Sequence, residues 1–180
     1  MKKVVWKWTM DYEKEETWLN EMSAKGFAFV RVSLLGRYTF TESAPGEYVY
    51  RMEYLKRGVH HPESQQYLRF MAETGAECVF SQSRYVYFRK RAEKGKFEIY
   101  SDIESRMAHY KRIGSVFLLF GILEVCIGIF HLLIFLTEDG FFSDLFLFGY
   151  FCMFSALFLH FWNRLRKKIK NLEKERGAWA

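Results

Sequence analysis

Along the first ten residues, large apolar and smaller or polar positions alternate. The run Val4-Val5-Trp6-Lys7-Trp8-Thr9-Met10 puts Trp6, Trp8 and Met10 on one face, the period-two signature of a half-buried strand. Asp11 then stands where a helix needs a cap, and Glu13, Glu15 and Glu16 fill the first turn, where carboxylates favour the positive end of the helix dipole. Gly26 marks the end of that helix, and Trp18, Leu19 and Met22 make its apolar stripe. Strands are predicted over residues 27–34 and 37–41, turning near Gly36.

The same order then recurs. Residues 48–54 alternate like the first strand, Pro62 opens a second helix, Gly75 closes it, and strands follow at 76–81 and 85–89. Alignment sets Trp6 on Tyr50, Lys7 on Arg51, Trp8 on Met52, Trp18 on Tyr67, Leu19 on Leu68, Met22 on Met71, Gly26 on Gly75 and Arg37-Tyr38 on Arg84-Tyr85. The pattern predicts an α+β domain over residues 1–92, a duplicated βαββ with repeats at about 4–41 and 48–90. One antiparallel or mixed sheet with both helices on one face is the most economical arrangement. Its aromatic residues either pack under the helices or line a concave surface for a ligand or partner. Trp6, Trp8, Tyr50, Glu53, Tyr54, Tyr85 and Tyr87 are the candidates for that surface, and Glu53 is either a binding carboxylate or an outward strand charge.

Beyond the domain the period changes. Residues 113–136 and 141–162 are nearly continuous apolar stretches, separated by Thr137-Glu138-Asp139-Gly140 and free of Lys and Arg until Arg164. Each is long enough for a hydrocarbon core of roughly 30 Å, so the pair reads as a two-helix transmembrane hairpin. Residues 93–112 form a linker and juxtamembrane helix, with Ser101-Asp102-Ile103-Glu104 matching a capping box, and 163–180 form a basic tail. Gly114, Gly121 and Gly128 recur every seven residues on the first span, with Glu124 and His131 beside them. Gly149, Cys152, Ala156 and His160 offer a comparable small or polar face on the second, so the helices are predicted to approach across these faces. Glu124, at mid-span, asks for a hydrogen-bonding partner within the hairpin or on another subunit, and neither His131 nor His160 is at its level.

Composition narrows the picture further. The net charge of +6 comes from basic residues on either side of the apolar stretches, from Arg89 to Arg112 and from Arg164 to Arg176, with none in the intervening loop. By the positive-inside bias both termini are cytoplasmic in a multi-pass protein, and the cations meet anionic headgroups rather than nucleic acid. Residues 1–10 lack the long apolar run of a signal peptide. Cys78, Cys126 and Cys152 have no metal-like spacing, His60-His61 read as a loop pair, and phosphate-loop, dinucleotide, nucleophile-elbow and zinc-protease motifs are missing. Neither an enzyme activity nor a cofactor is expected.

Two resemblances add to this reading. The duplicated βαββ arrangement of residues 1–91 resembles the effector-binding fold of the GyrI-type proteins, which implies a cleft for small cationic or aromatic molecules and Glu53 as a carboxylate to test. Trp18-Leu19-Asn20 with Met22 and Gly26, the aromatic opening strand, Arg37-Tyr38-Thr39-Phe40, Tyr48-Val49-Tyr50 and the apolar helices resemble a bacterial family, domain-of-unknown-function family 2812, over nearly the whole chain. That resemblance implies a protein of the cell (inner) membrane, often encoded beside PadR-type transcriptional repressors. It carries no active-site residues.

Three functions stay open. They are a membrane-anchored regulator or sensor whose domain binds a repressor, a transporter or a small ligand; a structural accessory subunit of a membrane complex; and a membrane-linked enzyme. Homo-oligomers through the hairpin fit either of the first two.

Overall fold

The computed structural model describes residues 2–100, 103–137 and 141–178. Among them the order is β1 (Lys2–Trp6), α1 (Tyr12–Ala24), β2 (Phe27–Val32), β3 (Arg37–Glu42), β4 (Tyr48–Tyr54), α2 (Pro62–Glu73), β5 (Glu77–Gln82), β6 (Tyr85–Arg91), α3 (Ile103–Phe135) and α4 (Phe142–Ala178). The chain divides into two compact units, Met1–Ile99 and Tyr100–Ala180.

The helices of the first unit start and stop for local reasons. The Asp11 side chain accepts from the Glu13 amide at 3.2 Å, and Gly26, at φ +81°, turns the chain out of α1. Pro62 follows a histidine cap: His61 Nδ1 accepts from the Glu63 amide at 3.2 Å, which gives one of the two loop histidines a structural role. Gly75, at φ +82°, repeats the exit of Gly26.

The duplicated βαββ order is present, with the strands divided into two antiparallel three-stranded sheets, β1-β3-β2 and β4-β6-β5, rather than joined in one. Both sheets carry a bulge at the same place in the repeat, between Phe29 and Arg31 and between Cys78 and Phe80. In each, one extra residue bends the strand and shifts which side chains face inward.

The main core lies between the sheets. Leu19 and Met22 of α1 pack with Phe29, Tyr38 and Phe40 of the first sheet and with Tyr50, Met52 and Tyr87 of the second. A second cluster joins Met71 of α2 to Val86 and Phe88, with Leu55, Ala76 and Phe97 around them. Val86 and Phe88 alternate with Tyr87 along β6, so α2 covers the opposite face of the second sheet from the shared core. The two helices therefore do not share one sheet face. Each covers the inner residues of its own repeat, which aligns Tyr38 with Val86 and Phe40 with Phe88. The Arg37-Tyr38 to Arg84-Tyr85 match expected from residue type is corrected by one position, because strand alternation tells which residues share a face but not which face a helix will take.

In the second unit both helices run past their apolar stretches without a break. At 1.5 Å per residue the 33 residues of α3 measure about 50 Å and the 37 of α4 about 55 Å. The juxtamembrane segment from Ile103 and the basic tail to Ala178 are thus continuations of the apolar helices. Both helices are long and apolar enough to cross a membrane, and little of either apolar stretch is covered by the protein itself, unlike a soluble core helix. The expected caps Ser101-Asp102 and the loop residues Glu138-Asp139-Gly140 lie outside the described residues.

Candidate functional site

On α1, Glu15, Leu19 and Met22 stand at i, i+4 and i+7, so the carboxylate of Glu15 sits on the apolar stripe and is carried into the core, where it is only 7% exposed. Its Oε1 accepts hydrogen bonds from the hydroxyls of Tyr38 on β3 and Tyr87 on β6, each at 2.7 Å. Burial pushes the Glu15 carboxyl above its usual range, against the two phenols and the charge of Lys7, which pull it down. Burial and the Glu15 charge in turn push both phenols far above theirs, and burial with the Tyr54 and Glu15 neighbours takes Tyr85 to about 12. The arrangement is a single acid clamped by one phenol from each sheet, with Trp18 packed edge-on to Tyr38 at 4.8 Å and Lys7 Nζ 4.4 Å from the Trp18 ring centroid.

The polar side of the same helix runs along the edge of the second sheet. Glu16 Oε2 accepts from the Met52 amide at 3.0 Å, and Asn20 accepts from the Tyr50 amide at 2.8 Å while donating to the Tyr50 carbonyl at 3.1 Å. Ser23 Oγ donates to the Tyr48 carbonyl at 2.6 Å. Glu16, whose carboxyl is also pushed up by burial, pairs with Arg51 at 3.2 Å. These side chains occupy backbone groups of β4 that an open edge strand leaves to water or to another chain.

The surface expected from the strand aromatics is accordingly split. Tyr50 and Tyr87 are core residues, and Tyr54 and Tyr85 pack ring to ring at 4.8 Å. Glu53 is neither an outward charge nor part of a cleft with them: it is buried, and alternation turns it to the α2 side of β4, away from Tyr50, Met52 and Tyr54. Trp6 and Trp8, by contrast, are 66% and 70% exposed, Trp8 lying just past the end of β1. Val4 and Trp6 oppose Thr39 and Arg37, which places them on the face of the first sheet that α1 does not cover. Close by, the β2–β3 turn presents Leu34 and Leu35, 80% and 72% exposed. The turn docks against Lys7, whose amide donates to the Gly36 carbonyl at 2.9 Å, and a Cβ on Gly36 would collide with the Lys7 carbonyl.

Within the hairpin, Gly114, Gly121 and Gly128 are buried against α4. A Cβ on Gly121 would come within 3.0 Å of the Leu159 side chain, and one on Gly128 within 3.4 Å of Phe151. Ser155 Oγ donates to the Gly121 carbonyl at 3.0 Å. The facing surface of α4 is made of Phe148, Phe151, Ser155, Phe158, Leu159 and Trp162. The expected face of Gly149 and Ala156 points elsewhere: a Cβ on Gly149 would meet nothing within 4 Å, and Ala156 is exposed. Large side chains of one helix fill the gaps left by glycines of the other, so small residues are needed on one side only. His131 pairs with Asp144 at 2.9 Å across the mouth of the hairpin and stacks on Phe151 at 5.7 Å. Glu124 Oε2 is buried, and among the described residues it has no hydrogen-bond partner.

Lower on the hairpin, a groove of about 400 Å³ opens between Lys111, Gly114, Ser115 and Leu118 of α3 and the stretch of α4 from Trp162 to Glu173. Among the described residues no group of three or more His, Cys, Asp or Glu side chains is placed to hold a metal ion.

No curated protein and no solved structure matches the chain. One family model does, that of the proteins of unknown function DUF2812, over residues 11–122, from the cap of α1 to within α3. That match spans more than half of the sequence, and the chain belongs to this family.

Proposed function

We propose that the protein is a membrane-anchored regulatory or sensor protein of the bacterial inner membrane, whose cytoplasmic α+β domain docks a partner protein through the uncovered face of its first sheet. The observation that carries this reading is an imbalance between the repeats. The second sheet is packed on both faces, by the shared core and by α2, whereas the first is packed on one, leaving Val4, Trp6, Trp8, Leu34 and Leu35 to solvent. Contiguous apolar surface of this kind usually marks an interface. Residues 1–10 and 27–41 supply Lys2, Lys3, Lys7, Arg31 and Arg37 and no Asp or Glu, so the complementary surface is apolar with an acidic rim. A PadR-type repressor, implied by the family resemblance, is the first partner to test. Basic residues on both outer sides of the apolar stretches and none in the loop between them support a multi-pass hairpin with both termini cytoplasmic.

The test is co-purification of the full chain, in mild detergent, with the product of an adjacent repressor gene. The variant Trp6→Ser/Leu34→Ser/Leu35→Ser changes only exposed side chains and should lose the partner while keeping its fold. Retention of the partner by the variant, or no complex with the wild type, would sink the docking reading. A second reading is an accessory subunit of a membrane complex: Glu124, a half-buried acid within an apolar helix, would then meet a polar group of another helix. In that case Glu124→Leu, and not the surface variant, dissolves the assembly.

A further inference from the structure

The groove between α3 and α4 lies where their apolar stretches give way to basic sequence. Leu118, Trp162 and Leu165 line one end, and Lys111, Arg166 and Lys170 line the other. Over the seven residues from Lys111 to Leu118 the lining passes from charged to apolar within about 10 Å. Among the described residues none of the three cations is in an ion pair, and Arg166 lies over the Trp162 ring at 5.3 Å from its centroid. Glu173, at the polar end, opposes three positive charges with one negative.

We infer that this groove binds a phosphate-bearing amphiphile, an anionic glycerophospholipid whose phosphodiester sits among Lys111, Arg166 and Lys170 and whose acyl chain follows Leu118, Leu165 and Trp162 out into the bilayer. The chemistry selects both halves of the ligand. An anion satisfies unpaired cations at a water boundary, while the apolar end of the groove matches a chain that free phosphate lacks. The groove lies wholly within the hairpin unit. The inference rests on the membrane-spanning reading of that unit but not on the docking face of the α+β domain.

Purified full-length protein in neutral detergent is titrated with phosphatidylglycerol, with phosphatidylcholine and with inorganic phosphate, binding being read by native mass spectrometry and by lipid-dependent thermal stabilisation. Phosphatidylglycerol is expected to bind, and binding should weaken by about fivefold for each charge removed in Lys111→Gln, Arg166→Gln and Lys170→Gln. Glu173→Gln should strengthen it. The control Lys167→Gln/Lys174→Gln removes two tail charges outside the lining and should leave it unchanged. Equal loss in this control, or full binding by the triple Gln variant, would overturn the site, and saturation of the groove by inorganic phosphate alone would overturn the lipid assignment. Because the docking-face variant Trp6→Ser/Leu34→Ser/Leu35→Ser should bind the lipid as the wild type does, failure of the partner reading leaves a distinct result. Failure of the spanning reading is read separately, by extraction of the chain from membranes with carbonate.

Discussion

Tyr87 of the second repeat donates its hydroxyl to Glu15 of the first, across 2.7 Å and 72 residues of chain. Tyr38 donates to the same oxygen, so one carboxylate ties together two sheets that are otherwise separate ladders. A buried acid of this kind stabilises only while its partners are complete.

Because burial raises the Glu15 carboxyl above 4.5 in the folded protein, the folded state holds its proton more tightly than the unfolded chain. Its contribution is therefore fully present below pH 4.5 and is lost as pH rises through the raised folded value. Glu15→Gln keeps an acceptor for both phenols and cannot ionise. In urea titrations of the full chain, wild-type stability should fall relative to Glu15→Gln as pH is raised from 4.5 towards neutrality, while Glu16, which shifts in the same direction, leaves a shallower slope in the Glu15→Gln profile itself. Glu15→Ala strands two buried hydroxyls and should destabilise by about 1–3 kcal/mol for each. Parallel pH profiles for wild type and Glu15→Gln would show that the carboxyl titrates alike in both states.

Asn20 serves both backbone groups of Tyr50 on the edge of β4. Asn20→Leu should lower stability by about 1–3 kcal/mol for each group left buried without a partner, and should speed hydrogen exchange at Tyr50 ahead of the β6 amides. Asn20→Asp keeps the acceptor and loses the donor, so it should fall between. An exchange pattern at Tyr50 that Asn20→Leu leaves untouched would remove the edge-sealing role.

The hairpin makes a contrast between two glycines. Gly121→Val drives methyl groups into Leu159 and should cost about 1–3 kcal/mol through overpacking, whereas Gly149→Ala enters open space and should stay within about 0.5 kcal/mol of wild type. Thermal unfolding in detergent distinguishes them. Comparable losses at both positions would contradict the packing face described here.

Much of this architecture was legible residue by residue. The Asp11 cap, the exits at Gly26 and Gly75, the apolar stripe of α1 and the two long apolar stretches all follow from local rules, and local rules were enough to place the elements. The first-turn place of Glu15 is legible but its burial is not: at the start of a helix a carboxylate suits the dipole whether or not it is buried, and only its spacing from Leu19 and Met22 distinguishes the core acid. Glu53 stands beside Tyr50 and Tyr54 in one strand, although alternation sends it to the opposite face. On α4 small residues point to Gly149 and Ala156, whereas the aromatic side chains that fill the glycine gaps of α3 look in sequence like lipid-facing residues. Asp144 was hidden from view as the partner of His131 because the pairing depends on how the turn returns the chain.

The bonds that seal β4 run from Ser23, Asn20 and Glu16 to residues 25, 30 and 36 positions later. On a ribosome, α1 emerges before the strand it guards, so β4 meets its cover as soon as it is made. Synthesis in the natural order thus shortens the time for which this strand edge is displayed, whereas the second repeat expressed alone would present Tyr48, Tyr50 and Met52 as a template for its own copies.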